Sequence, residues 1–128
     1  MTTATSQPSN AILLVDDDTD LLSLFEIVLV RLGYPIYKAT TGKAALDLME
    51  SVRPILIVLD LALPGMSGIE VLTSIRADER YNNIRIVVLT AVPVMMEREH
   101  VDLVDIMLTK PITPRQLEQT VRDLLGKA

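Results

Sequence analysis

Five polar residues stand directly after apolar runs of the sequence, and their chemical types suit a common task. They are three carboxylates, one hydroxyl and one ammonium group: Asp16, Asp17, Asp60, Thr90 and Lys110. Two carboxylates about 4 Å apart repel each other by about 4 kcal/mol at an effective dielectric constant of about 20. If the fold gathers the three acids, they must take up protons, pair with Lys110 or bind a cation.

Carboxylate oxygens are hard ligands that suit Mg2+ or Mn2+, ions that keep several waters and often bind together with a substrate phosphate. A cation held by the acids would neutralise charge on an incoming phosphoryl group. Thr90 could donate a hydrogen bond to one phosphoryl oxygen, and Lys110 could pair with another. The residue types therefore point to phosphoryl transfer onto a carboxylate.

The apolar runs that precede these residues are predicted to be the strands of a parallel sheet. The run at residues 55–59 contains only Ile, Leu and Val, which is typical of a strand covered on both faces. Similar or weaker runs complete a set of five predicted strands: Ala11–Val15, Pro35–Ala39, Ile55–Leu59, Ile86–Leu89 and Asp105–Thr109. Each polar residue named above therefore stands at the carboxyl end of a predicted strand.

Helices are predicted between the strands, because apolar residues recur there every three or four positions. They run from a cap at Asp18 or Thr19 to Gly33, over Gly42–Val52, through Ile69, Leu72 and Ile75, over a short segment Val94–Val101, and from a cap at Thr113 with Pro114 in the first position. Five strand–helix units predict an α/β fold, a doubly wound five-stranded parallel sheet with right-handed crossovers. Such sheets bind ligands beyond the carboxyl ends of their strands, where the five polar residues are predicted to meet.

The composition limits the classes of protein to which the chain can belong. The chain has 128 residues, 49% apolar and 23% charged, which suits one domain with a real core. We predict a flexible tail over residues 1–10 and one domain over residues 11–126. The net charge of −5 argues against direct binding to nucleic acid or to a membrane surface. No cysteine is present, so disulfides and thiolate zinc sites are excluded. No signal peptide or membrane span is evident, so the expected location is the cytoplasm.

Four stretches carry a resemblance to a known family: residues 12–18 (ILLVDDD), 58–68 (VLDLALPGMSG), 87–91 (VVLTA) and 108–111 (LTKP). In this order, and each at a strand end, they resemble the hallmark motifs of response regulator receiver domains, members of the CheY-like superfamily. The resemblance covers about residues 11–125. It implies a flavodoxin-like (βα)5 fold with strand order 2-1-3-4-5. It also implies a phospho-acceptor of two-component signalling, which is not an enzyme although it assists its own phosphoryl transfer and dephosphorylation.

The resemblance implies a role for each acid. Asp60 is the expected phospho-acceptor, and it is phosphorylated in a Mg2+-dependent reaction. Asp17 is the expected direct ligand of the metal, and Asp16 is expected to hold the metal through water. Asp60 and the backbone carbonyl of Ala62 are expected to complete the protein's share of the metal shell.

The same resemblance implies the remaining parts of the switch. Thr90 is the expected switch hydroxyl that moves toward the phosphoryl group. Lys110 is expected to contact that group, to pair with Asp60 before phosphorylation, and to precede a cis bond to Pro111. The implied phosphodonor is a histidine kinase or a phosphotransfer protein. The output is expected to be a changed protein-interaction surface for a downstream target or for a homodimer.

The sequence departs from the family pattern at the switch and beside the acceptor. Met107 stands three residues before the lysine, where the family usually has an aromatic residue, and Leu103–Val104 replaces the common Gly-Ala pair. The fourth helix is therefore expected to be short or irregular. Ala62 and Val92, two residues after the acceptor and the switch hydroxyl, are apolar. Because these positions influence the attacking water in the family, we expect slow self-dephosphorylation.

Two other function classes compete with the phospho-acceptor. The alternative is a receiver-like interaction or dimerisation module with weakened or phosphorylation-independent switching, motivated by Met107 and the altered fourth helix. The third is a Mg2+-dependent phosphatase with an aspartyl intermediate. Such enzymes usually need a second acid two residues after the nucleophile, and Ala62 occupies that position, so this class is disfavoured.

Overall fold

The computed structural model of the chain describes residues 10–92, 96 and 98–126. Five parallel strands form one sheet in the order β2-β1-β3-β4-β5, which confirms the predicted fold and strand order. The strands are β1 (Ile12–Val15), β2 (Ile36–Ala39), β3 (Leu56–Leu59), β4 (Arg85–Thr90) and β5 (Ile106–Thr109). The α-helices are α1 (Thr19–Leu29), α2 (Gly42–Val52), α3 (Gly68–Arg76), α4 (Arg98–Val101) and α5 (Pro114–Leu125), with short 3-10 helices at Val30–Leu32 and Glu79–Tyr81.

The sheet separates two apolar cores. Side chains alternate along each strand, so Leu13 and Val15 of β1 face the core under α2 and α3, whereas Ile12 and Leu14 face the core under α1 and α5. Both faces of the sheet are thus buried. This arrangement explains why β1 and β3 read as uninterrupted apolar runs instead of alternating polar and apolar residues.

Helix α1 ends earlier than the sequence pattern predicts. It was predicted to continue to Gly33, but the α-helix stops at Leu29 and residues Val30–Leu32 form a 3-10 turn. Gly33 has φ +91°, a left-handed conformation that glycine adopts without steric cost, and its N–H donates to the Val30 carbonyl. A tightened last turn of this kind is frequent at helix ends, and apolar spacing alone does not distinguish it from α-helix.

The other helix ends follow the chemistry of their caps. The Asp18 side chain accepts a hydrogen bond from the Leu21 N–H at 3.1 Å, so Asp18 and not Thr19 caps α1. Thr113 caps α5 with Pro114 in the first helical position, as predicted. Ser67 caps α3 through a capping box with Glu70, which was not predicted.

Each strand begins one residue away from its predicted start, and β4 also ends one residue later than predicted. The clearest difference is β4, which extends to Thr90, so this residue is the last of the strand and does not follow it. The predicted tail over residues 1–10 lies outside the described residues except for Asn10. Of the predicted helix Val94–Val101, the structure describes α4, four residues long, whereas residues 94, 95 and 97 lie outside the described part. No helix in the described part is long and apolar enough to cross a membrane.

Candidate functional site

The predicted site residues emerge from neighbouring strands at the same end of the sheet. Val15 of β1 is in register with Leu59 of β3, so Asp16 and Asp60 leave the sheet side by side. The Asp60 N–H donates to the Val15 carbonyl at 3.0 Å. On the other side, the Lys110 N–H donates to the Thr90 carbonyl at 2.9 Å. The strand order thus places acids from β1 and β3 next to a hydroxyl and an ammonium from β4 and β5.

One local motif orients three of these side chains. An oxygen of each accepts a hydrogen bond from the backbone N–H two residues later: Asp18 N–H to Asp16 Oδ1 at 2.9 Å, Ala62 N–H to Asp60 Oδ1 at 3.0 Å, and Val92 N–H to Thr90 Oγ1 at 3.1 Å. Asp, Asn, Ser and Thr form such turns where a strand ends because their short side chains reach this N–H. Each side chain is therefore held over its own loop, and the second oxygen of each carboxylate is left for other partners.

Those second oxygens share one cation. The Lys110 Nζ lies 2.8 Å from Asp16 Oδ2 and 3.1 Å from Asp60 Oδ2. Both acids are buried, whereas the Lys110 side chain is 21% exposed. Burial raises the pKa of Asp16, and the hydrogen bonds from Lys110 and from the Asp18 N–H offset only part of that effect. Burial would lower the pKa of Lys110, but its hydrogen bonds to Asp16 and Asp60 outweigh this and raise it.

The three acids form a group suited to a hard cation. One carboxylate oxygen from each of Asp16, Asp17 and Asp60 lies within 4.8 Å of the others. Asp17 is exposed, whereas the other two are buried, so the group is open to solvent on one side. Three carboxylates against one ammonium leave a net charge of −2 if all are ionised. An all-oxygen donor set with excess negative charge and an open side fits Mg2+, which keeps part of its water shell.

The remaining predicted residues lie around this group. Thr90 is fully buried at the end of β4, and its hydroxyl is held by the Val92 N–H. Ala62 is exposed beside Asp60, and Val92 is exposed beside Thr90, so each presents an apolar side chain to solvent. The bond between Lys110 and Pro111 is cis, as the resemblance implied.

Two features were not predicted, one at the site and one at the opposite edge of the sheet. The first is the close approach of α3 to the backbone of Asp60. The Gly68 N–H donates to the Leu61 carbonyl at 2.9 Å, and a Cβ on Gly68 would lie 2.5 Å from the Asp60 carbonyl oxygen and in contact with Leu61 Cα. Only glycine leaves room for this contact. In the sequence, Gly68 stands only as the last residue of the stretch 58–68.

The second is a set of charged contacts at the start of β5. The Arg76 Nε donates to the Leu103 carbonyl at 2.8 Å, and its Nη2 lies 3.4 Å from Asp105 Oδ2. The same Asp105 oxygen accepts the Ile86 N–H at 2.7 Å. Arg76 therefore ties the end of α3 to the loop that leads into β5, and Asp105 ties that loop to β4. The residues are far apart in sequence and carry no motif that could have revealed the contact.

Comparisons with known proteins agree with this geometry. The family model for the response regulator receiver domain matches residues 12–122, and the chain belongs to that family. The DNA-binding response regulator MtrA of Mycolicibacterium paratuberculosis is 36% identical over 91% of this chain and 51% of its own length. The alkaline phosphatase synthesis transcriptional regulatory protein PhoP of Bacillus subtilis is 35% identical over 91% of this chain and 49% of its own length. The chain spans about half the length of these relatives.

Solved structures show the same fold. The response regulator protein TrrA from Thermotoga maritima, crystallised in complex with Mg2+ and BeF, has a TM-score of 0.79 and 30% identity over 90% of this chain and 98% of its own. The chain is thus a receiver domain of two-component signalling, with the acidic cluster typical of the family's phosphorylation site.

Proposed function

We propose that Asp60 accepts a phosphoryl group from a phosphohistidine of a histidine kinase or a phosphotransfer protein, in a reaction that requires Mg2+. The observation that carries this proposal is the setting of Asp60. It is buried at a strand end, one carboxylate oxygen accepts the Ala62 N–H, and the other faces Lys110 within a group of three acids. A carboxylate that is fixed in this way is oriented for attack and needs little rearrangement to react.

In the transfer, a carboxylate oxygen of Asp60 forms a bond to phosphorus while the phosphorus–nitrogen bond of the donor breaks. The electron pair of that bond stays on the imidazole of the donor. Mg2+, held by Asp16, Asp17, Asp60 and the carbonyl of Ala62, would supply positive charge to the phosphoryl oxygens. Lys110 moves from Asp60 to a phosphoryl oxygen, so its charge is used before and after the transfer.

Thr90 connects the new phosphoryl group to the surface of the domain. Its hydroxyl oxygen accepts the Val92 N–H, so its own proton is available to donate to a phosphoryl oxygen. Movement of this side chain toward Asp60 would release or shift the loop at Ala91 and Val92, which leads from β4 toward α4. We infer that this loop transmits the switch to a protein-interaction surface.

The test is intact mass after incubation with acetyl phosphate, with and without Mg2+, for wild type and Asp60→Asn. We expect a gain of one phosphoryl mass in wild type with Mg2+ only. Asn has the same shape and cannot form the acyl phosphate, so the variant should not gain mass. A gain in Asp60→Asn of the same size as in wild type would reject Asp60 as the acceptor.

The phosphorylated form is proposed to be long-lived. Hydrolysis needs a water in line with the acyl phosphate bond, and polar side chains beside the acceptor help to place that water. Ala62 and Val92 offer no hydrogen-bonding side chain at the two flanking positions. A half-life of minutes or less for the phosphorylated form, without a phosphatase, would contradict this proposal.

A second candidate function is an interaction module whose switch responds weakly to phosphorylation. It is favoured by Met107, which is 42% exposed on β5 where the family usually has an aromatic residue. Methionine is flexible and unbranched, so an inward and an outward position would differ little in energy. If phosphorylation occurs but leaves the backbone amide spectra of β4, β5 and α4 unchanged, this second function is the better one.

The domain is proposed to act in the cytoplasm and to signal through protein contacts rather than by binding DNA itself. MtrA is named as a DNA-binding regulator, but the chain matches only about half of it. The net charge of −5 gives this domain no general attraction to a phosphate backbone. The downstream partner is therefore either a target protein or a second copy of the domain.

A further inference from the structure

The outer face of α1 exposes a row of large apolar side chains. Leu24, Ile27 and Val30 are 51%, 53% and 51% exposed, and they follow one another at intervals of three residues. Among the described residues, half of the six large apolar side chains that are exposed lie on this one segment. Single exposed apolar residues are ordinary, whereas a contiguous group is typical of a contact surface.

Opposite charges stand at the two ends of this row. Asp20 lies in the first turn of α1, and Arg31 lies in the 3-10 turn that follows it. Both are exposed, and neither forms an ion pair in the part of the chain that the structure describes. We call the five residues of this face the α1 stripe: Asp20, Leu24, Ile27, Val30 and Arg31.

We propose that the α1 stripe binds the α1 stripe of a second copy of this chain, with the two helices antiparallel. A two-fold axis between residues 25 and 26 pairs Asp20 with Arg31 and Leu24 with Ile27 of the other copy, while Val30 lies at the edge of the contact. The apolar residues at the centre of the stripe, Leu24 and Ile27, then meet each other, and each charge meets its opposite. Because the interface is symmetric, each of these two contacts is made twice.

The spacing of the stripe suits helix packing. Residues 20, 24, 27 and 31 follow intervals of four, three and four, which is the seam spacing of paired helices that cross at about 20°. A parallel pair in the same register would place Asp20 against Asp20 and Arg31 against Arg31, which costs energy through like charges. The charge pattern therefore selects the antiparallel arrangement.

The chemistry of the stripe favours a second copy over the chain's own first residues. Residues 1–9 contain Met1 as their only large apolar side chain and no charged side chain, so they match neither the apolar row nor Asp20 and Arg31. A single pair of helices buries less than the roughly 1,000 Å² that a stable interface needs. We therefore expect weak self-association, with a dissociation constant on the order of 100 µM, that does not depend on phosphorylation.

The first test is charge reversal, followed by sedimentation velocity over a concentration series. Asp20→Arg and Arg31→Asp should each weaken self-association at least tenfold, because each places like charges at both ends of the pair. An equal mixture of the two variants should associate again. In the mixed pair, the arginine at position 20 of one chain opposes the aspartate at position 31 of the other. At the opposite end, the native Arg31 of the first chain opposes the native Asp20 of the second. Failure of the mixture to associate, with both variants folded by circular dichroism, would overturn the antiparallel pairing.

The second test removes apolar contacts. Leu24→Gln combined with Ile27→Gln should abolish association, while Met107→Gln, an exposed apolar residue on β5, serves as the matched control and should leave it unchanged. If Met107→Gln abolishes association instead, the interface lies elsewhere and the proposal is wrong. It is also overturned if wild type stays monomeric up to millimolar concentration while the α1 variants slow phosphoryl transfer from a phosphodonor protein, because the stripe would then be a donor surface.

Discussion

Replacing Lys110 with alanine should destabilise the protein without Mg2+ and tighten its binding of Mg2+. The Lys110 Nζ contacts Asp16 at 2.8 Å and Asp60 at 3.1 Å, and it is the cation that these two buried acids share. Removing one partner of a buried ion pair typically costs about 3–5 kcal/mol, since the other charge is left unpaired. The Lys110 side chain is 21% exposed and water reaches the site beside Asp17, so we expect a smaller loss of about 2–3 kcal/mol.

With Mg2+ bound, the acids have another counter-ion. The loss caused by Lys110→Ala should then fall to about 1 kcal/mol, the order of a single charge-assisted hydrogen bond. The difference of about 1–2 kcal/mol is the coupling between the lysine and the metal. By thermodynamic reciprocity it must appear as a gain of about 5- to 30-fold in Mg2+ affinity.

Urea denaturation at zero and saturating Mg2+ measures the two losses, and isothermal titration calorimetry measures the affinity. Lys43→Ala is the matched control, because it removes the same charge from a side chain that is 81% exposed and paired with Asp47 at the surface. Its effect on stability should stay within about 0.5 kcal/mol in both conditions. Weaker Mg2+ binding by Lys110→Ala, or an equal stability loss with and without Mg2+, would refute the reasoning.

Three further predictions concern stability. Gly68→Ala should lower the free energy of unfolding by about 3 kcal/mol or more, because the new methyl group meets the backbone of Asp60. Gly65→Ala should lower it by about 1 kcal/mol, since Gly65 has φ +74° and open space around it. Urea denaturation compares the two variants, and equal losses would contradict the close approach. Arg76→Met should lower the free energy of unfolding by about 2 kcal/mol and Arg85→Met by less than about 0.5 kcal/mol, since of these two arginines Arg76 is the one largely buried and bonded to a backbone carbonyl. The same assay checks this, and a larger loss for Arg85→Met would contradict the structural role given to Arg76. Asp16→Asn should weaken Mg2+ binding and should stabilise the metal-free protein at neutral pH, because burial raises the pKa of Asp16. The favourable contribution of Asp16 to folding is present in acid and is lost as the pH rises through the raised pKa. The advantage of Asn over Asp should therefore fade in acid, which denaturation at several pH values would show.

The fold and the gathering of the site were predictable because both depend on local patterns. Uninterrupted apolar runs such as residues 56–59 indicate strands buried on both faces, and a parallel sheet brings the residues after those strands to one edge. Asp16, Asp60 and Lys110 therefore follow from the sequence as neighbours. Their individual roles rest on the family resemblance, and they remain predictions until the phosphorylation experiment is done.

Contacts between distant segments were not predictable. Arg76 and Asp105 are 29 residues apart, and neither has a local pattern that names the other as its partner. The end of α1 was misplaced for a related reason, since apolar spacing continues through Val30–Leu32 although the backbone tightens into a 3-10 turn. The exposed row on α1 was missed because the apolar positions on its buried face account for a helix by themselves, and the outer ones were not needed.

The two strands at the rims of the sheet have a consequence for solubility. β2 and β5 each pair with one neighbour only, so each has a backbone edge without a strand partner among the described residues. Such edges can recruit strands from other molecules and seed fibrous aggregates. Both strands are only four residues long, β2 has an exposed Lys38, and β5 runs directly into Lys110–Pro111, where proline offers no N–H. An intruding strand would find few hydrogen bonds at either rim, so the domain can be concentrated with little risk of polymerising through its sheet.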